Sequence, residues 1–325
     1  MRRYVVRRFL LVLPTALLAT ILVFLLMKLV PGDAATAIVY GLEETGAADT
    51  SAAAAEQQVA KVRRRLGLDK PLPVQYWDWL KTVARGEFGM SIWEFRPVRE
   101  IILERLPRTA ELAAMIMILT FLYGVPLGIL AALWQNSWKD QVIRVFTILG
   151  LSIPTIWIGI LLLFTFSRYL RWIPPIDWKG PMEDPVHNLT MLIFPALIVS
   201  YSAGSVVMRM TRSQMLGVLR EDYVRTAWAK GLEQRVIVVR HALRNAVLPV
   251  LTQFGGLLGT VLLGLVITET MFRIPGMGRS MVDAITNRDY PVIQGIILIN
   301  VLLVMIVNLV VDLLYSVLDP RIRYS

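Results

Sequence analysis

The stretch "EDYVRTAWAKGLEQRVIVVRHALRNAVLP", Glu221 to Pro249, lies between two long apolar runs and is itself too polar to cross a bilayer. It carries Arg225, Lys230, Arg235, Arg240 and Arg244 and one glycine, Gly231. A basic loop beside a span fixes which side of the membrane the loop occupies, and that role alone needs only a few charges. It does not account for the length, the two helix-like pieces or the single glycine. Ser213 to Gly231 has helix-compatible composition that ends at the glycine, and Leu232 to Asn245 reads as a second helix before Pro249. Tyr223, Ala227 and Lys230 recur at helical spacing, so the first piece would present small residues and charges sideways from the membrane.

Outward from this segment, the chain is greasy. Of 325 residues 56% are hydrophobic and 18% charged, which places it among integral membrane proteins. It has no cysteine and only two histidines, His187 and His241, far apart in sequence. A disulfide framework, a thiolate zinc site, an iron–sulfur cluster and a cysteine nucleophile are therefore excluded, and a histidine-rich metal site is not expected. No G-x-x-x-x-G-K-[ST] pattern occurs, so this polypeptide does not hold ATP in a phosphate loop of that kind.

Six apolar runs predict six spans: Phe9 to Val30, Thr109 to Leu133, Val142 to Leu170, Leu189 to Met208, Val247 to Met271 and Val292 to Val317. At about 1.5 Å per residue each can cover a hydrocarbon layer of roughly 30 Å. The first follows "MRRYVVRR" and is too long for a signal-peptide core, so it is expected to stay as an anchor. Six spans put both termini on one side. That side would hold Arg2, Arg3, Arg7, Arg8, Lys139, seven basic residues from Arg212 to Arg244, Arg321 and Arg323, against five acids. The other side carries sixteen charges of each sign. The formal net charge of +10 thus falls almost wholly on one face, which the positive-inside rule assigns to the cytoplasm, and no nucleic-acid partner is needed to explain it.

The expected organisation is residues 1–30 as cytoplasmic N-terminus and first span, residues 31–108 as an extracytoplasmic loop domain, and residues 109–325 as a five-span core. The cytoplasmic segment of that core covers about 210–246. A loop as long as 31–108 is expected to be structured. "DTSAAAAEQQVAKVRRRLGLDK" reads as a helix that Asp49, Thr50 or Ser51 can cap and Gly67 stops. Tyr76, Trp77 and Trp79 either rest at the headgroup level or in the loop's own core, or form a docking face. "RWIPPIDWKGPMEDP", from Arg171, reads as a rigid irregular cap, and "FRIPGMGRSMVDAITNRDYP" as a tight turn at Gly276 and Gly278 followed by a short helix.

"RTAWAKG", Arg225 to Gly231, with "LP" at Leu248 and Pro249, resembles the EAA loop of ABC importer permeases, although Arg225 and Thr226 stand where Glu and Ala would be. The wider wording is similar to the peptide and nickel importer branch, the DppB/OppB-type permeases. "VPGD" (Val30 to Asp33), "LGLDKPLPVQYWDWL" (Leu66 to Leu80), "GEFGMSI" (Gly86 to Ile92) and "LPRTAEL" (Leu106 to Leu112) agree with that branch. So do "ETMFRIPGMG" (Glu269 to Gly278), "RDYPVIQG" (Arg288 to Gly295) and "LDPRIR" (Leu318 to Arg323), so the resemblance covers nearly the whole chain.

The resemblance implies an all-α integral membrane protein with the MetI-like fold of type I ABC importer permeases: six transmembrane helices with a long first extracytoplasmic loop. It implies a second, homologous permease as partner in a heterodimer, two ATPase subunits or domains that bind ATP and Mg, and an extracytoplasmic substrate-binding protein, all at a bacterial or archaeal cell membrane among its lipids. No cofactor is expected in this chain. Asp222, Tyr223, Arg225, Thr226, Ala227, Lys230, Gly231 and Leu232 would contact the ATPase, with Gly231 letting the chain turn without a Cβ clash. Peptides are the expected cargo, with nickel chelates or glutathione as the alternative within the family.

Charged groups in spans are costly and call for a reason. Lys28, Glu111 and Arg209 lie near span ends and can snorkel. Glu269 is expected to pair with Arg273 one turn on, in a structural role, and Asn300, Asn308 and Asp312 either bond between helices or line the translocation path. An ion-coupled secondary transporter would normally carry midplane carboxylates. An intramembrane enzyme would need a nucleophile and base, an aspartyl pair or a metal cluster at membrane depth, but no Cys exists, both His lie outside the spans and Asp312 has no partner Asp. A channel would have no use for the cytoplasmic segment.

Overall fold

The computed structural model describes residues 2–29, 35, 36, 39, 52–65 and 67–318. Among these the elements are helical, apart from turns and one isolated bridge between Met90 and Pro97. In chain order they are α1 (Arg2–Leu29), α2 (Ala52–Arg65), α3 (Leu72–Ala84), α4 (Val98–Leu133), α5 (Trp138–Ser152) and α6 (Thr155–Thr165). A π turn over Phe166–Leu170 leads to α7 (Pro185–Val218), α8 (Asp222–Ala229), α9 (Leu243–Met271), α10 (Met277–Thr286) and α11 (Tyr290–Leu318).

Among the described residues four segments are long and apolar enough to cross a membrane: Val98–Leu133, Pro185–Val218, Pro249–Met271 and Tyr290–Val311. In α1 the apolar stretch is the shorter Leu10–Leu26. The third expected span is not one rod. It breaks between α5 and α6 with a bend of 99°. Pro154 is the cause, because it has no N–H to donate and it pushes the residue before it out of the helical region; Ile153 sits at φ −89°, ψ 123°. The pair amounts to a fifth crossing only if both arms serve together.

Contacts group the chain into two units, Met1–Tyr4, Arg108–Gly278 and Ile306–Ser325 in one, Val5–Pro107 and Arg279–Met305 in the other. In the first, the packing of α4 on α7 is set by "GVPLG". A Cβ on Gly124 would lie 3.1 Å from Val207 Cβ, and one on Gly128 would lie 2.6 Å from Thr211 Cβ. Small residues four apart let two helix backbones approach, which matters in lipid, where close packing rather than exclusion of water holds helices together. Leu112 and Ile116 of α4, Met191 and Leu192 of α7 and Leu265 of α9 form the main core with Ile274. Ser137 caps α5 by accepting from the Asp140 N–H, and Asp184 caps α7 by accepting from the His187 N–H at 3.1 Å. That N–H and, after it, Lys179 hold the Asp184 carboxyl below the usual carboxylate range.

Glu269 is wholly buried at the end of α9. Its Oε1 accepts from the Thr109 hydroxyl (2.7 Å) and its Oε2 from the Gly278 N–H (2.7 Å), while Thr109 Oγ1 accepts from the Met277 N–H (2.8 Å). The carboxylate therefore fills the inside of the 272–278 turn and ties it to α4. These hydroxyl and backbone partners, which the sequence did not reveal, give it a structural role.

In the second unit, α1 and α3 meet through side chains. Thr20 Oγ1 and Tyr76 Oη are 2.9 Å apart, Lys28 donates to Gln75 Oε1 at 2.7 Å, and Phe24 packs edge-on to Tyr76 with Trp79 beside both. Tyr76 and Trp79 thus serve the unit's own interior, whereas Trp77 is 56% exposed. α2 ends as expected at Gly67 (φ +66°): the Gly67 and Leu68 N–H groups return to the carbonyls of Arg64 and Arg63. Its proposed caps Asp49, Thr50 and Ser51 lie outside the described residues, as do "VPGD" and most of "LDPRIR". Asp289 is buried and binds the Ser91 hydroxyl and the Trp93 N–H, closing the 89–98 turn onto the segment before α11.

Candidate coupling surface

α8 is eight residues long and Glu221 gives it no side-chain cap. A helix that short does not hold itself in water. Two devices keep it. Val224 and Ala227, at i and i+3, are buried with Ile237 against Val218 and Leu219. At the other end Gly231 takes φ +75°, and the Gly231 and Leu232 N–H groups close on the carbonyls of Trp228 (2.9 Å) and Ala227 (3.4 Å). This is a left-handed helix stop, which a residue with a Cβ resists. Space is not the constraint, since nothing lies within 4 Å of where a Cβ would be.

With that inner face spent, the rest of α8 is on display. Of the eight residues selected from the sequence, Asp222, Tyr223, Arg225, Thr226, Lys230, Gly231 and Leu232 are exposed together around one short helix and its turn. Ala227 differs: it is 5% exposed and belongs to the helix's footing. The sequence reading missed Trp228, 47% exposed, although it stands within the quoted "RTAWAKG". Arg225 and Asp222 approach to 3.5 Å with both side chains largely in solvent, so the pair contributes little and leaves both charges available.

The second helix-like piece is not separate. Gln234–Val236 runs through a π turn, Ile237–Ala242, straight into α9. Pro249 lies inside α9 and donates no hydrogen bond, and the wide turn about two to three turns upstream adjusts the register ahead of it. Tyr223 reaches back to this rod. Asn245 Nδ2 donates to Tyr223 Oη at 2.7 Å, and the hydroxyl faces the His241 carbonyl at 3.5 Å. α8 is thus bonded to the root of a membrane-crossing helix.

A further tie joins the foot of α5 to α7 just before α8. Arg212 Nε and Nη2 donate to the two oxygens of Asp140 at 2.9 and 2.8 Å, the Asn136 N–H adds a third bond at 3.1 Å, and Arg144 stands 3.7 Å away. Asp140 is fully buried. The two-pronged geometry fixes angle as well as distance. In sequence these residues were only topology charges, and 72 positions separate them. Of the path candidates, Asn300 is half-buried and Asn308 exposed on α11, and the Asp312 side chain lies outside the described residues. Among the described residues no group of His, Asp and Glu has the makings of a metal centre.

A membrane-crossing helical chain with a broken third span and a short exposed helix footed between two spans has the build of a transporter permease. Residues 124–324 match the family described as binding-protein-dependent transport system inner membrane component, and residues 1–113 match its N-terminal counterpart. The chain is 40% identical over 328 residues, the whole of both chains, to the glutathione transport system permease protein GsiC of Salmonella choleraesuis (strain SC-B67). It is 39% identical over 321 residues, 99% of each, to the probable peptide ABC transporter permease protein y4tP of Sinorhizobium fredii (strain NBRC 101917 / NGR234). Among solved structures, the inward-facing MetNI methionine ABC transporter shares the fold, with a TM-score of 0.54 over 67% of this chain and 96% of that one at 14% identity. The chain belongs to the binding-protein-dependent transport system inner membrane components: it is a multi-pass permease subunit of an ABC importer, a family that works with ATPase and binding-protein partners.

Proposed function

We propose that this chain forms half of a translocation path for small peptides and that α8 is the lever through which ATPase subunits drive it. The observation that carries the reading is the division of α8 into a buried footing (Val224, Ala227) and an exposed rim with Tyr223, Arg225, Trp228 and Lys230. A helix so mounted passes force instead of absorbing it. Tyr223 hands displacement to the root of α9, and the Asp140–Arg212 clamp keeps α5 and α7 moving together beside it. Rigid-body motion of such a bundle is how a path alternates its opening.

On this reading both termini and α8 face the cytoplasm, a homologous permease completes the path, and ATP and Mg are held and consumed by the partner subunits, with no catalysis in this chain. The small-peptide cargo is supported by the names of the relatives, one for glutathione, itself a tripeptide, and one for peptides. The absence of native cysteine makes the test direct. Single cysteines at Arg225 and Trp228 should react with an impermeant maleimide in inside-out but not right-side-out vesicles, and co-assembly with the ATPases should shield them. Labelling from the outside, or reactivity unaltered in the assembled complex, would overturn the coupling role. Uptake of labelled glutathione and dipeptides by cells holding the full system settles the cargo.

A further inference from the structure

Between α5 and α7, beside the Asp140–Arg212 clamp, lies a cleft of about 470 Å³. Its lining includes four arginines, Arg144, Arg209, Arg212 and Arg220. Arg212 and Arg144 share Asp140, but Arg209 and Arg220 have no carboxylate partner among the described residues. One carboxylate against four guanidiniums leaves the cleft strongly cationic. Apolar side chains line it as well, Ile148 and Leu151 on α5 and Leu216 on α7 among them, and Ile148 is 60% exposed.

The position is as informative as the charge. Arg209 lies eleven residues, about 16 Å of helix, in from Arg220. It stands one turn inward of the Asp140–Arg212 pair, near the end of its span, where a guanidinium without a carboxylate needs an anion or water to meet it. At the foot of α5, Trp134 and Trp138 are 37% and 73% exposed, and the Lys139 ammonium lies 4.7 Å from the Trp134 ring centre. Exposed tryptophan with a basic neighbour is the signature of the headgroup layer. An apolar lining that runs inward from that layer, topped by unneutralised arginines, complements a molecule with a phosphate at one end and an acyl chain at the other.

We infer that this cleft is a binding site for one anionic phospholipid of the leaflet on the α8 side of the membrane, its phosphate among Arg209, Arg220 and Arg144 and an acyl chain along Ile148 and Leu151. Basic pockets between membrane helices take such headgroups in general. Bound there, the lipid braces the α5–α7 joint next to the Asp140–Arg212 clamp. The site needs only that the chain be embedded in a membrane and does not depend on the coupling role of α8.

The test uses the assembled transporter in nanodiscs of phosphatidylcholine with or without phosphatidylglycerol, read by native mass spectrometry of retained lipid and by melting temperature. Retention of one phosphatidylglycerol per copy of this chain, with a raised melting temperature, is expected. R209Q/R220Q should weaken retention about 30-fold, equivalent to about 2 kcal/mol. Gly217→Leu, which fills the cleft where a Cβ now meets nothing within 4 Å and keeps every charge, should lower it as well. R235Q/R240Q, exposed charges outside the cleft, should not. Equal retention of phosphatidylcholine, indifference to both cleft variants, an equal response to inorganic phosphate alone, or a partner subunit found seated in the cleft would each overturn the inference.

Discussion

The turn after α8 and the turn between α9 and α10 both contain glycine, for opposite reasons. At the end of α8, Gly231 sits in open space, and only its positive φ demands the residue. Beyond α9, Gly276 and Gly278 are crowded: a Cβ on Gly278 would lie 2.6 Å from the Val266 Cα, and one on Gly276 would collide with the Glu269 carboxylate. The first turn is held by its own backbone and leaves its surroundings empty. The second is packed around a buried carboxylate and leaves nothing free. A turn built to be met by another protein should look like the first, and one that fastens a fold should look like the second.

The largest effect should come from emptying the packed turn. Glu269→Ala strands the Thr109 hydroxyl and the Gly278 N–H in the interior, at about 1 to 3 kcal/mol each. Folded yield and melting temperature in detergent should fall together, by about 4 kcal/mol in all. A variant of normal abundance and stability would show that the turn is not held by this carboxylate. The next effect sets the two glycines side by side. Gly278→Ala drives a methyl group against Val266 and should cost about 1 to 3 kcal/mol of global stability. Gly231→Ala meets no atoms, and its left-handed strain of about 1 to 2 kcal/mol can be relieved by fraying α8 alone. Its melting temperature should therefore stay near that of the wild type while uptake falls, and Gly231→Val should abolish uptake at normal abundance. If Gly278→Ala and Gly231→Ala melt alike, the contrast between the two turns fails.

What could be read in advance follows from the range of each interaction. The glycine stops at Gly67 and Gly231 were legible because a helix end depends on a few adjacent residues. The inward face of α8 was not read, although Val224 and Ala227 stand three apart, because Ala227 was taken for a contact within the resemblance. Pro154 announced the break in the third span, but average hydropathy reads through a proline. "GVPLG" offered a close helix crossing without saying which helix would approach. Asp140 with Arg212 and Thr109 with Glu269 lie 72 and 160 positions apart, and nothing local marks either member as paired. The exposed rim was therefore legible, and the long-range clamps beside it were not.

A smaller effect should come from the rim of the open turn. Trp228→Ala removes an exposed ring from a helix anchored by other residues, so its melting temperature should hold to within about 0.5 kcal/mol of stability. A tryptophan that is buried only on assembly is commonly a dominant contact, so affinity for the ATPase pair should fall about tenfold. Affinity measured by titration of the ATPases into the permease decides it. Unchanged affinity would move the contact to another side of α8.

The smallest effect lies at the helix starts. α7 opens on Asp184, whose carboxylate accepts from His187 and lies 3.3 Å from Lys179, whereas α8 opens on Glu221 with no cap bond. Because Asp184 is held below the usual carboxylate range in the folded protein, the stabilisation it gives is fully present above the unfolded value near 3.9 and is lost as pH falls through the lower, folded value. Melting temperature of the wild type should therefore decline in acid below about pH 4, and Asp184→Asn, which keeps an acceptor without the charge, should show less of that decline. The difference is small because the side chain is solvated and its attraction to Lys179 is screened by salt. At neutral pH Glu221→Gln should leave the melting temperature in place, since it removes no cap. A loss there equal to that of Asp184→Asn would mean that the start of α8 is as firmly fixed as that of a membrane span, and α8 would then be a rigid part of the bundle instead of a footing that a partner completes.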